Sequence, residues 1–115
     1  MRDWTRIRER YLSDGLPVRL GGLAANLGRI RSFAARGASD QVIESLFDES
    51  KQFIERTAPE TAPETAEKLV ELQVELALWQ RRWPQARSDT VLREQVAMKA
   101  EIWSARLLEM SGLLR

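Results

Sequence analysis

The chain has 115 residues, of which 43% are hydrophobic and 30% are charged, and its formal net charge is +1. This length suits one domain, and the composition is that of a folded globular protein rather than a disordered one. Neither cysteine nor histidine occurs, which excludes disulfides, thiolate zinc sites, a thiol nucleophile and a histidine general base. We therefore predict no catalytic residue, no metal site and no cofactor, and we expect that the protein is not an enzyme.

The charges are unevenly distributed along the chain. Residues 1–37 carry eight basic residues against three acidic ones, whereas residues 38–83 carry ten acidic residues against five basic ones. Such blocks can mark a surface that binds nucleic acid. The alternative is that basic and acidic helices pack side by side within one fold.

The first predicted helix is short and covers about residues 3–12, where apolar residues recur with a helical period. Its basic residues are interleaved with aromatic ones, which is a pattern suited to phosphate contacts and base stacking. No recognised nucleic-acid-binding motif accompanies them, so we interpret the pattern as an amphipathic helix with a basic rim. The basic residues of this possible surface are Arg2, Arg6, Arg8 and Arg10.

The second predicted helix covers residues 17–36. Proline at position 17 suits a first helical turn, and Gly37 suits the left-handed position after the last turn. The glycines inside the segment do not have the spacing of a phosphate-binding loop. Because each costs about 1 kcal/mol of helix propensity relative to alanine, we predict that a neighbouring helix packs unusually close to one flank. The residues of that flank are Gly21, Ala25 and Gly28.

The third predicted helix, residues 40–57, has one apolar face and one polar face, and Ser39 or Asp40 is its expected N-cap. The fourth covers residues 62–83. We expect a capping box that begins at Thr61 to start it and Pro84 to end it.

The fourth predicted helix also has an acidic stripe, and a fifth helix over residues 89–112 follows. The fifth has Ser88 or Asp89 as its expected N-cap. Glutamates spaced by three and four residues could hold a hard cation, but we interpret them as a solvated face because no ligand-rich loop accompanies them. They are Glu64, Glu67, Glu71 and Glu75.

Both of the last two helices carry a second apolar stripe besides the one that would face a bundle core. A helix in a monomeric bundle needs one such stripe, so a second one indicates another contact. The N-terminal helix, a second copy of the chain or a different protein could cover it, and a symmetric dimer is the commonest solution. We predict homodimerisation through these two helices. The predicted interface residues are Val70, Val74, Ala77, Leu78, Trp83, Val91, Met98 and Ile102.

Four amphipathic helices with short connections predict an all-α fold, an antiparallel four-helix bundle with a short extra N-terminal helix. We expect a single domain over residues 1–115. No apolar run is long enough to span a membrane, and no secretory signal is recognised at the N-terminus. We therefore expect a cytoplasmic protein.

Four stretches of this sequence resemble a group of small, functionally uncharacterised helical proteins of cyanobacteria. They are "LPVRLGGLAANLGRIRSFA", "ESKQFIE", "ELQVELALWQRRW" and "LLEMSGLL", at residues 16–34, 49–55, 71–83 and 107–114. The resemblance implies a bacterial cytoplasmic setting and implies no activity or ligand for any residue.

The sequence thus favours a non-enzymatic interaction, adaptor or regulatory protein that forms a homodimer or binds another protein. Two alternatives stay open at this point. One is a nucleic-acid-binding protein that uses the basic N-terminal third, and the other is a bundle that binds an apolar small molecule in its core.

Overall fold

A computed structural model describes residues 15–37 and 39–112, and the predicted helix over residues 3–12 lies outside them. The described part of the chain forms four α-helices, with a single 3₁₀ turn at Ala58–Glu60. The helices are α1 (Leu16–Arg36), α2 (Asp40–Thr57), α3 (Pro63–Ala86) and α4 (Thr90–Ser111). No strand occurs among these residues.

The four helices form an antiparallel bundle in which each helix packs against two neighbours. α1 contacts α2 and α4, α3 contacts the same two helices, and the contact between α1 and α4 is the most extensive. The direction follows from pairs of cross-helix contacts, in which residue numbers rise on one helix as they fall on the other. Gln73 contacts Glu55 and Gln80 contacts Asp48 between α3 and α2. Ala24 contacts Ser104 and Arg31 contacts Glu101 between α1 and α4. The predicted all-α, antiparallel four-helix bundle is confirmed.

The core is formed by one apolar stripe from each helix, with the helical spacing that the sequence shows. Trp79 and Trp103 are both buried in it. The other large side chains that are fully enclosed are Leu23, Leu27, Ile30, Ile43, Phe47, Ile54, Leu69, Leu72, Leu76, Trp83 and Leu107.

Most helix ends follow the signals in the sequence. Ser39 caps α2 by accepting a hydrogen bond from the backbone N–H of Val42, and Asp89 caps α4 by accepting two backbone hydrogen bonds. α1 and α4 both end at a glycine in the left-handed conformation, Gly37 and Gly112, with φ of 70° and 74°. Residues with a Cβ rarely adopt this conformation, whereas glycine adopts it readily.

The two ends of α3 differ from the prediction. Its N-cap is Ala62, which makes no side-chain hydrogen bond, so the predicted capping box does not form. The hydroxyl of Thr61 instead donates to the carbonyl of Ala58 at 2.8 Å and closes the preceding 3₁₀ turn. At the other end the helix continues through Pro84 to Ala86. Burial of Trp83 and Ala86 on both sides of the proline favours this continuation over the expected stop.

None of the helices in the described part of the chain combines the length and the apolar character needed to cross a membrane.

Candidate interaction surface

The most exposed large apolar side chains lie on the outer sides of α3 and α4. On α3, Val74 is 57% exposed, and on α4, Met98 is 63% exposed. Almost all of the predicted interface residues are exposed. Those that are exposed are Val70, Val74, Ala77, Leu78, Val91, Met98 and Ile102.

The outer face of α3 exists because the helix has two apolar stripes that point in opposite directions. Each residue advances the helix by about 100°, so Val74 lies nearly opposite Leu72 and Leu76. Leu72 and Leu76 are fully buried in the core. Val70, Val74 and Leu78, spaced by four residues, therefore form a line on the surface. We call this line, together with Ala77, the α3 outer face.

Charged residues of opposite sign flank the α3 outer face. Glu67 precedes it, Arg81 follows it and Glu71 lies between Val70 and Val74, and all three charged side chains are exposed. Glu71 has Lys68 as its partner at 3.5 Å. Among the described residues, neither Glu67 nor Arg81 forms an ion pair. The α3 outer face is thus acidic at its N-terminal end and basic at its C-terminal end.

A groove of about 650 Å³ runs between the α3 outer face and the neighbouring part of α4. Its α4 wall is made by Trp103 and Arg106, and the guanidinium of Arg106 lies 5.1 Å from the centre of the Trp103 ring. The groove joins the apolar residues of α3 to an aromatic edge on α4. The candidate interaction surface therefore extends from α3 onto α4.

Trp83 does not belong to this surface, and its assignment to the interface is wrong. Its side chain is 1% exposed, packs edge-to-face against Phe47 and donates its indole N–H to Asp40 at 3.2 Å. Asp40 also pairs with Arg87. The sequence places Trp83 beside arginines and a proline at a helix end, and that local context does not show the α2 residues that cover it.

The small residues of α1 do mark a close helix contact, although one of them was assigned incorrectly. The hydroxyl of Ser104 on α4 donates to the backbone carbonyl of Ala24 at 2.8 Å, and a Cβ at Gly28 would lie 4.0 Å from the same hydroxyl. Gly21 is half-buried. Ala25 is exposed, because one residue of rotation turns it away from α4. Ala24 occupies the contact in its place.

Buried polar side chains of α1, which we did not predict from the sequence, contact α2 and the 3₁₀ turn that follows it. Arg19, almost fully buried, donates two hydrogen bonds to the Glu60 carboxylate at 2.7 and 3.1 Å. Asn26, also buried, donates to Glu49 and accepts from Arg29. A polar residue within an apolar stripe, such as Asn26 beside Leu27, is the signal that could have identified them.

The acidic stripe of α3 is partly paired, and no cation-binding cluster accompanies it. Glu75 lies 3.9 Å from Lys99 on α4. In the part of the chain that the structure describes, no three acidic, cysteine or histidine residues are placed to hold a metal ion. The possible basic surface at Arg2, Arg6, Arg8 and Arg10 lies outside these residues.

Comparisons with protein-family models, with curated proteins and with solved structures found no match. The resemblance to the cyanobacterial group stays an expectation from sequence. The function is therefore inferred from the surface geometry of the bundle.

Proposed function

We propose that the protein is a non-enzymatic interaction protein that self-associates through the α3 outer face, with the exposed side of α4 beside it. The observation that carries this proposal is an exposed apolar line with Glu67 at one end and Arg81 at the other, neither of which forms an ion pair among the described residues. Burying such a line removes apolar surface from water, at about 25 cal/mol per Å². The charges then restrict which partner and which orientation fit.

A second copy of the chain fits this pattern when two α3 helices meet in an antiparallel arrangement about a two-fold axis at Val74. Residues equally distant from Val74 then face each other across the axis. Glu67 and Arg81 are each seven residues away, so each acid meets a base of the second copy. Val70 and Leu78 are each four residues away and form apolar pairs.

A parallel arrangement does not have this complementarity. It would place Glu67 against Glu67 of the second copy and Arg81 against Arg81 of the second copy, and like charges in contact are unfavourable. Exposed ion pairs contribute only about 0.2–1 kcal/mol each. We therefore expect apolar burial to supply most of the affinity and the charges to select the antiparallel dimer.

Substitution at the centre of the face tests self-association directly. Val74→Glu should dissociate the dimer, because two carboxylates would meet at the axis, and sedimentation equilibrium would then give the monomer mass. Val18→Glu is the matched control, since Val18 is similarly exposed, at 51%, but lies on α1. A wild-type protein that is monomeric at micromolar concentrations would refute the proposal.

Charge reversal tests the orientation. Glu67→Arg and Arg81→Glu should each weaken the dimer about tenfold, because each turns two attractive contacts into repulsive ones. The double variant Glu67→Arg/Arg81→Glu should regain affinity, because its acids and bases again face each other. A dimer that tolerates both single reversals would mean that another surface mediates self-association.

A further inference from the structure

A second feature of the bundle is a cleft of about 260 Å³ between the C-terminal half of α3 and the N-terminal half of α4. The apolar part of its lining includes the indole of Trp79 together with Leu92 and Val96. Among the described residues, its charged lining residues are Arg82 and Lys99, and no carboxylate lines it. The cleft thus combines a flat apolar wall with positive charge.

The indole N–H of Trp79 is a buried donor without an acceptor. The Trp79 side chain is 3% exposed, and its Nε1 has no hydrogen-bond partner in the described part of the chain. The contrast with Trp83 is direct, since the Nε1 of Trp83 donates to Asp40. Buried indole N–H groups ordinarily have an acceptor. This unsatisfied donor belongs to a side chain that lines the cleft.

The two cations of the cleft are also weakly engaged. Arg82 has no ion pair or side-chain hydrogen bond among the described residues, and Lys99 reaches Glu75 only at 3.9 Å. The amides of Gln85 and Gln95, which line the same cleft, add further donors. Cationic and amide groups from both helices therefore line this space, and Glu75, which is not among its described lining residues, is the acidic partner of Lys99 alone. Positive charge without a carboxylate in the described lining is the arrangement expected for an anion.

We propose that this cleft binds a small organic carboxylate with a flat apolar body. Arg82 and Lys99 hold the carboxylate group, and the apolar body lies against Trp79, Leu92 and Val96. The volume lies just below the usual range for ligand pockets, about 300–1,000 Å³, so the ligand is compact, on the scale of one or two rings. A nucleotide is too large for it.

The cleft and the α3 outer face are separate surfaces of the same helix. Arg82 is turned toward α4, whereas Arg81, one residue earlier, is turned outward. The carboxylate site does not depend on self-association, and either proposal can fail without the other.

Titration with benzoate tests the site on the intact protein. The indole N–H signals are followed by ¹H–¹⁵N NMR, with the Trp79 signal assigned from Trp79→Phe. We expect benzoate at millimolar concentration to shift the Trp79 signal in a saturable way. Arg82→Gln and Lys99→Gln should each weaken binding about tenfold, the loss of one charge-assisted hydrogen bond. Arg36→Gln is the matched control, since Arg36 is an exposed arginine of α1 that does not line the cleft, and it should bind benzoate like the wild type.

Three results would overturn the proposal. The first is a Trp79 signal that does not move with benzoate. The second is an equal loss of affinity in Arg36→Gln, which would indicate general charge attraction. The third is inorganic phosphate that shifts the Trp79 signal as strongly as benzoate does, because a site for any anion does not need the apolar wall.

Discussion

Gly28 lies where α1 and α4 pack against each other, beside the hydrogen bond from Ser104 to the carbonyl of Ala24. A methyl group added there would meet Ser104 Oγ at 4.0 Å, which is ordinary van der Waals contact. Gly22, on the same helix, would place its methyl group in open space. The contact therefore excludes large side chains at Gly28 but not alanine.

This geometry predicts opposite effects for two substitutions at Gly28. Gly28→Ala should stabilise the fold by about 0.5–1 kcal/mol, because alanine has the higher helix propensity and fits the space. Gly28→Leu should destabilise it, since the branched side chain must displace α4 and break the bond from Ser104. Thermal unfolding of both variants, with Gly22→Ala as the unhindered control, measures the difference. A Gly28→Leu protein as stable as the wild type would contradict the close contact.

Residue-level features differ in how far the sequence could predict them. Spacing alone identified Val74 as part of a second stripe outside the core, because that assignment depends only on the helical period. Ala24 and Ala25 are identical in type and adjacent, so the choice between them required the direction of α4, which the sequence does not contain. Trp83 was assigned to the surface for the same reason, since Phe47 and Asp40, which enclose it, are distant in sequence.

At the scale of elements, the pairing of Arg19 with Glu60 connects α1 to the 3₁₀ turn that precedes α3. The hydrogen bond and the charge of Arg19 stabilise the ionised carboxylate and hold the pKa of Glu60 below its usual value of 4.5, despite some opposing desolvation. Because the pKa of Glu60 is lowered in the folded state, its interaction with Arg19 contributes to the free energy of unfolding at neutral pH. It is lost as the pH falls through that lowered pKa.

We therefore expect Glu60→Gln to lower the melting temperature at pH 7 and to have progressively less effect as the solution is acidified. Melting curves of the two proteins from neutral to acidic pH give the comparison. The control is Arg19→Met, in which Glu60→Gln should have little effect at any pH. A difference that stays constant with pH would show that the ionised carboxylate is not what stabilises this connection.

The helices themselves could be predicted from sequence more fully than their ends. Four amphipathic segments with a helical period, joined by three short connections, were sufficient to predict the bundle. The bounds of α2 agree with the prediction. The ends of α3 did not follow local rules. Pro84 cannot donate a backbone hydrogen bond, yet the helix continues because tertiary burial of Trp83 and Ala86 outweighs that loss. Local signals cannot report such tertiary burial.

At the scale of the whole molecule, the proposed dimer links folding to protein concentration. In a monomer much of the apolar line on α3 stays in contact with water, since Val70, Val74 and Leu78 are 51%, 57% and 42% exposed. This exposed apolar area contributes to stability only when a second copy covers it. Association that favours the folded state raises the apparent stability by mass action.

The melting temperature of the wild-type protein should therefore rise with protein concentration. Val74→Glu should melt at one temperature at all concentrations, because it removes association without disturbing the core that Leu72 and Leu76 form. The double variant Glu67→Arg/Arg81→Glu should regain the concentration dependence that each single reversal reduces. Calorimetry over a hundredfold range of concentration measures all five proteins. A wild-type melting temperature that does not change with concentration would mean that the α3 outer face does not bind a second copy of the folded chain.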